Sequence, residues 1–343
     1  MKGTDIMRVR SMNDFPGVGS ARSSARAHAA RRLAAAVTLA LAGVLGAPAG
    51  LARAGGSGSA LELAIGHNGI AFGPAPRVNG LRINFSDDEL ERVNGLNFTV
   101  WNPGGDVGGE VNGLALGLVG PSAARLHGVQ LGLGAVVANE RLVGISAAGL
   151  AVVSEGERFG VAAAGLAVVS EGSSAGVGAG GLAVVSEGDL RGLYAGGLAT
   201  VSEGEFGGIG FGTLATVVEG RLRGIGVGGL ATVSDGPLEG LGIGGLAVVS
   251  SQDLRGIAVA GLGVASGRTL RGIAVAGGAV STEDLLELSV APYNRYVGIQ
   301  RGIAIGIYNS ANELRGVQIG VLNRAGNHRP PFRYVPLLNF DFN

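Results

Sequence analysis

The stretch Gly229-Leu-Ala-Thr-Val-Ser-Asp-Gly-Pro-Leu-Glu-Gly-Leu-Gly-Ile-Gly244, followed without a break by Gly245-Leu-Ala-Val-Val-Ser-Ser-Gln-Asp-Leu-Arg-Gly-Ile-Ala-Val-Ala260, decides the fold. Laid over each other at an offset of sixteen, the two segments share the Gly-Leu-Ala start, the Val-Ser pair, the following Leu and the central Gly. The same register runs outward in both directions. Gly recurs at 149, 165, 181, 197, 229, 245, 261 and 277, with Thr213 in the one gap, and Leu follows at each position from 150 to 262. A second Gly series occupies 144, 160, 176, 192, 208, 224, 240, 256 and 272. The consensus unit reads G-L-A-V-V-S-E-G-x-L-R-G-I-A-V-A. One fixed period without insertions marks an array of stacked units.

Each unit reads as β. Ile, Val, Leu and Thr alternate with Gly and Ala at period two, and Gly at this density removes helix propensity. Glu-Gly at 155–156, 171–172, 187–188, 203–204 and 219–220, and Asp-Gly at 235–236, read as tight turns, with the Gly supplying a positive φ. Degenerate units flank the block. Gly80, Gly95, Gly113 and Gly128 each precede an apolar alternation, and Gly302-Ile-Ala-Ile-Gly-Ile-Tyr-Asn309 and Gly316-Val-Gln-Ile-Gly-Val-Leu-Asn323 close the series. The segment 281–298 breaks the register. The organisation expected is a flexible start and first strand or cap over 55–77, a β-repeat array over 78–326 with near-perfect units at 144–280, and a C-terminal cap over 327–343. Three Pro in Arg329-Pro-Pro-Phe-Arg-Tyr-Val-Pro336 suit a cap that shields the last edge from further pairing.

Two all-β architectures fit. In an elongated β-solenoid of about fifteen coils, each unit is one turn of two short strands and two bends. Coils stack about 4.8 Å apart, for a rod of roughly 70 Å, with Leu, Val and Ile filling a narrow core. In an up-and-down outer-membrane β-barrel, each unit is a strand plus a turn, and Arg223, Ile225, Val227, Gly229, Ala231, Val233 and Asp235 form a lipid-facing row with charges at both ends. The single-unit period favours the solenoid, because a barrel repeats naturally by hairpins. Against the solenoid stands the stack of like charges that Glu155, Glu171, Glu187, Glu203, Glu219 and Asp235 would form.

The amino terminus reads as an export signal. Basic residues up to Arg31-Arg32 precede an apolar run from Leu33 to about Gly50, and Ala52-Arg53-Ala54 offers a small-x-small cleavage site, so 1–54 is expected to be a signal peptide. Of 343 residues, 66 are Gly and none is Cys, which excludes disulfides, thiolate metal sites and a Cys nucleophile. Lys2 is the single Lys, and the chain after residue 54 carries 18 Arg against 24 acids, so nothing attracts nucleic acid.

Candidate chemistry is sparse. Gly224-Ile-Gly-Val-Gly-Gly229 and Gly240-Leu-Gly-Ile-Gly-Gly245 match a dinucleotide glycine pattern, but no strand-then-helix context surrounds them. The acidic ladder Glu155, Glu171, Glu187, Glu203, Glu219 and Asp235 is a weak candidate for a divalent cation, since one carboxylate per coil makes a poor oxygen cage. Thr200, Thr216 and Thr232 lie in register, as on an ice-binding face, or serve β-propensity. His67, His127 and His328 are scattered and suit solvated or local roles. The recurring Ser at 154, 170, 186, 202, 234 and 250 suits hydroxyl bonds to turn backbone. A carbohydrate-active β-helix would need two facing carboxylates beside a cleft. No catalytic residue, cofactor or small-molecule substrate is expected.

Gly316-Val-Gln-Ile-Gly-Val-Leu-Asn323, with Gly128-Val-Gln-Leu-Gly-Leu133 and Val93-Asn-Gly-Leu96, resembles the Gly-Leu-Gln-Ile-Gly-Leu-Ile-Asn unit of a bacterial cell-envelope surface-repeat family over roughly residues 78–326. The central block departs from it, with Gln replaced by Ala or Gly and the Asn lost. The resemblance implies an envelope location and a repeat class, and no activity. The expected function is therefore an exported, non-enzymatic surface-repeat protein, in the periplasm or at the outer membrane or cell surface. It would act as a structural or binding scaffold for the envelope, a membrane surface or itself. The barrel alternative implies a channel for apolar solutes.

Overall fold

The computed structural model describes residues 60–87, 89–101 and 108–342; the expected signal peptide lies outside them. Every regular element among these residues is a strand. In the repeat block each unit gives a four-residue short strand and a longer one, such as Ala231–Ser234 and Leu238–Gly244. Short strands pair in parallel with short strands one unit on (Ala231 with Ala247 through Ser234 with Ser250). Long strands do likewise, from Leu238 with Leu254 to Gly244 with Ala260. The result is a β-solenoid of about 15 turns over residues 77–325. The barrel alternative fails on this pairing, because successive barrel strands run antiparallel and here each unit lies parallel on the last. Antiparallel pairs occur at the two ends: Leu61–Ile65 with Asn68–Phe72, and Val317–Ala325 with Tyr334–Phe340. The latter is the strand that the Pro-rich segment leads into.

Parallel stacking satisfies the bends as well as the strands. Leu198 N donates to the Leu182 carbonyl at 2.6 Å and Leu214 N to that of Leu198 at 2.8 Å. At the opposite bend Glu187 N donates to Ser170 O and Glu203 N to Ser186 O, each at 2.9 Å. Backbone N–H groups at these bends therefore find backbone partners in the preceding coil.

Glycine serves this stacking in a way the sequence reading misplaced. The turn glycines of the Glu-Gly and Asp-Gly pairs are absent from the positive-φ residues. They are glycine because a Cβ on Gly156 would lie 1.8 Å from the Glu140 carbonyl oxygen of the preceding coil, and one on Gly236 2.5 Å from that of Gly220. Positive φ belongs instead to the mid-strand series, including Gly224 (120°) and Gly240 (129°), where the long strand kinks. A Cβ on Gly240 would sit 2.2 Å from the Gly224 oxygen.

The core is a narrow lumen. Leu190, Leu222, Leu238, Leu254 and Leu270 form one fully buried column, and Val152, Val168, Val184, Val248, Val264 and Val280 form another. The expected Ile column is not in it: Ile257 and Ile273 face outward and are 43% and 38% exposed. Lumen width decides this. The inward position beside them is Gly or Ala, and a Cβ on Gly242 would already lie 3.0 Å from the methyls of Leu238 and Val248. At the C-terminal coils the lumen becomes polar. Asn294 donates to Asn309 and Asn309 to Asn323, each at 2.8 Å, while Gln318 donates to Gln300 at 2.8 Å.

Three coils break the Leu column, with Arg158, Ser174 and Phe206 in its register. Arg158 is buried and bonds to Ser174 Oγ (2.7 Å), the Val177 carbonyl (3.2 Å) and Tyr194 Oη (3.2 Å). Gly178 makes room for the Tyr194 ring, since a Cβ there would lie 2.7 Å from it. No carboxylate pairs with this guanidinium among the described residues, and burial pushes its pKa down, against the smaller opposing pull of Tyr194. An unpaired buried charge costs more than its neutral hydrogen bonds return. We expect Arg158→Met to stabilise the fold by about 1 kcal/mol or more, read as a later urea midpoint at unchanged m-value. Tyr194 keeps a second partner in the Arg191 carbonyl at 3.4 Å. An earlier midpoint would show that the hydrogen bonds outweigh the charge.

Candidate functional site

The acidic ladder forms as the repeat dictates. Short strands such as Ala167–Ser170 and Ala183–Ser186 pair in register, so Glu171 and Glu187, the next residues, stack one above the other. Burial, then Glu187 and Glu155, raise the Glu171 pKa above its ordinary value of 4.5. Its charged form is therefore disfavoured in the folded state, and stability falls as pH rises through the folded pKa. Glu171→Gln should raise stability at pH 7, and the gain should shrink as pH falls through the folded pKa toward 4.5, vanish below it, and shrink as salt rises. Denaturation midpoints across pH check this, and a gain independent of both variables would contradict it. The Arg residues that recur across the turn from this ladder pair with other acids: Arg191 with Asp189 (2.9 Å), Arg223 with Glu239 (3.4 Å), and Arg255 with Asp253 (3.0 Å) and Glu239 (3.6 Å). Among the described residues no three His, Asp or Glu side chains converge into a metal-holding group.

The remaining sequence candidates resolve into structure. Thr200, Thr216 and Thr232 point into the lumen and donate to the carbonyls of Phe211 (2.7 Å), Val227 (2.8 Å) and Ile243 (2.6 Å), so they form no ice-binding face. Ser hydroxyls do bind turn backbone, within a coil and across coils: Ser170 donates to Gly172 O at 2.9 Å and Ser186 to the same oxygen at 3.1 Å. Both dinucleotide-like glycine runs lie in strands that continue as strands. His127 Nδ1 lies 3.0 Å from Asn112 Oδ1 and 3.3 Å from Glu110, and His328 Nε2 lies 3.0 Å from Asp341.

Two features escaped the sequence reading. The first is an exposed ladder in the N-terminal coils, where Asn79, Asn94 and Asn112 each donate to or accept from the next at 2.7 and 3.0 Å. Its signal was Val-Asn-Gly-Leu at 78–81, 93–96 and 111–114. The second is a buried cluster in which Arg82 and Asp87 pair at 2.7 Å, with Asn84 and Asn97 donating to the same carboxylate. It sits where a loop enters the lumen, and no periodicity announces it.

The outer surface is the largest unusual feature. On the long strands, Ile209 and Phe211, Ile243, Ile257 and Val259, and Ile273 and Val275 are all exposed. At the bend, Leu182, Leu198, Leu214, Leu230, Leu246 and Leu262 are 44–61% exposed. Ala147, Ala163, Ala179 and Ala195 replace the larger side chains further up, leaving a shallow groove of about 490 Å³ walled by Phe211. Contiguous exposed apolar surface of this kind is a feature of sites that bind a partner or a membrane.

Searches against protein-family models, curated proteins and solved structures find no match to this chain.

Proposed function

We propose that this chain is an exported, non-enzymatic protein of the bacterial cell envelope, a solenoid scaffold that binds through its repetitive outer surface. The observation that carries the reading is the exposed Leu column from Leu182 to Leu262 with the Ile and Val columns beside it. Stacking alone does not need large apolar residues there, because the bends are held by backbone bonds. Burial elsewhere supplies their physical use. Export rests on the basic, apolar and small-residue order of 1–54. The non-enzymatic reading rests on the regular ladders of the repeat block, in which Ser and Thr hydroxyls bond to backbone and outward Arg side chains to neighbouring acids.

Expression of the full chain in a bacterium, followed by fractionation and amino-terminal sequencing, tests this. The expected product begins at or near Gly55 and sediments with the envelope. Full-length protein in the cytosolic fraction would contradict it.

A further inference from the structure

The solenoid is amphipathic in cross-section, and the apolar part wraps around an edge. In the coils over 213–280, the corner carries Leu214, Leu230, Leu246 and Leu262, all exposed. One flank, on the long strands, presents Ile243, Ile257, Val259, Ile273 and Val275. The other flank, on the short strands, presents half-buried Ala215, Val217, Ala231, Val233, Ala247 and Val249. Charge is confined to the far side of the coil. The corner and the outward columns next to it carry none over these coils.

We propose that this leucine edge inserts as a keel into the acyl layer of a lipid surface, deepening the scaffold reading above, on which it rests. A second copy of the solenoid packed face to face would cover one flank, leaving the corner and the other flank wet. A fluid acyl layer closes over both flanks and the corner together. Charge placement agrees. On the long flank the apolar columns are bordered, two residues before Ile225, Leu241, Ile257 and Ile273, by Arg223, Glu239, Arg255 and Arg271, so that three cations and one carboxylate, paired with both Arg223 and Arg255, make up this rim. The side chains of Arg223 and Arg255 are 66% and 53% exposed, within reach of headgroup phosphates when the keel is immersed. The acidic ladder borders the short flank down to Asp235 and then gives way to Ser251 and Gly267. Over 245–276 the acid is Asp253, against Arg255, Arg268 and Arg271. An apolar stripe immersed to the headgroup boundary, with cations at its rim, is the arrangement of interfacial membrane binders.

Flotation of the purified protein with phosphatidylcholine vesicles, alone or mixed with phosphatidylglycerol, tests the keel. The protein should float with both, and more strongly with the mixed vesicles at low salt. The combined change Leu214→Glu, Leu230→Glu and Leu246→Glu touches outward side chains only, and circular dichroism verifies the fold. It should reduce the vesicle-bound fraction at least tenfold. Glu155→Gln, Glu171→Gln and Glu187→Gln together, on the opposite edge, should leave flotation intact. A corner variant that floats like the parent would overturn the keel. So would a parent that stays in solution as a dimer by sedimentation velocity, which assigns the face to a second copy. Envelope location without flotation removes the keel and leaves the scaffold; flotation of a chain that is never exported removes the export reading instead.

Discussion

Gly240→Val is expected to abolish cooperative folding of the central coils. Gly240 has φ of 129°, a conformation that a β-branched residue does not adopt without strain of about 1–3 kcal/mol. Its new Cβ would also lie 2.2 Å from the Gly224 oxygen, with Gly224 C at 3.0 Å, so the obstruction is backbone rather than a movable side chain. Separating the coils to relieve it breaks the Leu238–Gly244 ladder to Leu222–Gly228 on one side, and its partner Gly256 repeats the same close approach on the other. Strain and overpacking together amount to about 2–6 kcal/mol. The outward change Leu241→Val on the same strand should cost less than about 1 kcal/mol. Urea unfolding of both variants checks the contrast. Equal, small effects would mean that the coils are not in the close contact described.

The second large effect comes from the length of a deletion rather than its content. Removal of residues 229–244 joins Gly228 to Gly245 and removes one whole coil, so every remaining inward residue stays inward. The array should lose one rise of about 4.8 Å, keep its circular dichroism and unfold cooperatively, as nearest-neighbour stacking requires. Removal of 229–236 alone takes away the short strand Ala231–Ser234 and its turn. The long strand Leu238–Gly244 would then follow Leu222–Gly228 with no return strand between them, and the Leu, Thr and Ser columns would lose their register. That shorter deletion should unfold the neighbouring coils. Comparable damage from both deletions would speak against a stack of equivalent turns.

Much of this architecture was legible because parallel stacking copies the sequence period directly into space. The unit length, the strand pair per coil, the acidic ladder and the Ser-to-turn bonds all follow from Gly229–Ala260 read at an offset of sixteen. Even the row Arg223, Ile225, Val227, Ala231, Val233, read as the lipid-facing side of a barrel strand, is the outward row of the coil, because side-chain alternation is common to both folds. What periodicity alone could not give was lumen width. Hence the core expected to hold Leu, Val and Ile leaves Ile257 and Ile273 outside, with Ala258 on the inward column, and Thr232, a candidate for an ice-binding face, binds the Ile243 carbonyl from the lumen. The role of the turn glycines was also misread, since contact between coils, not φ, demands them. Irregular features such as Arg158 with Tyr194 and Arg82 with Asp87 depend on single substitutions within columns, and a consensus hides them.

The most direct test of the stacked-coil account is a nitroxide pair at Arg223→Cys and Glu239→Cys, sixteen residues apart, in a chain that contains no native Cys. Both positions face outward and pair across adjacent long strands. Parallel coils place them about 4.8 Å apart, so the doubly labelled spectrum should be strongly broadened relative to the sum of the single labels. Sharp, non-interacting lines from this pair, with broadening appearing instead between Arg223 and Arg255, would mean that successive units run in opposite directions.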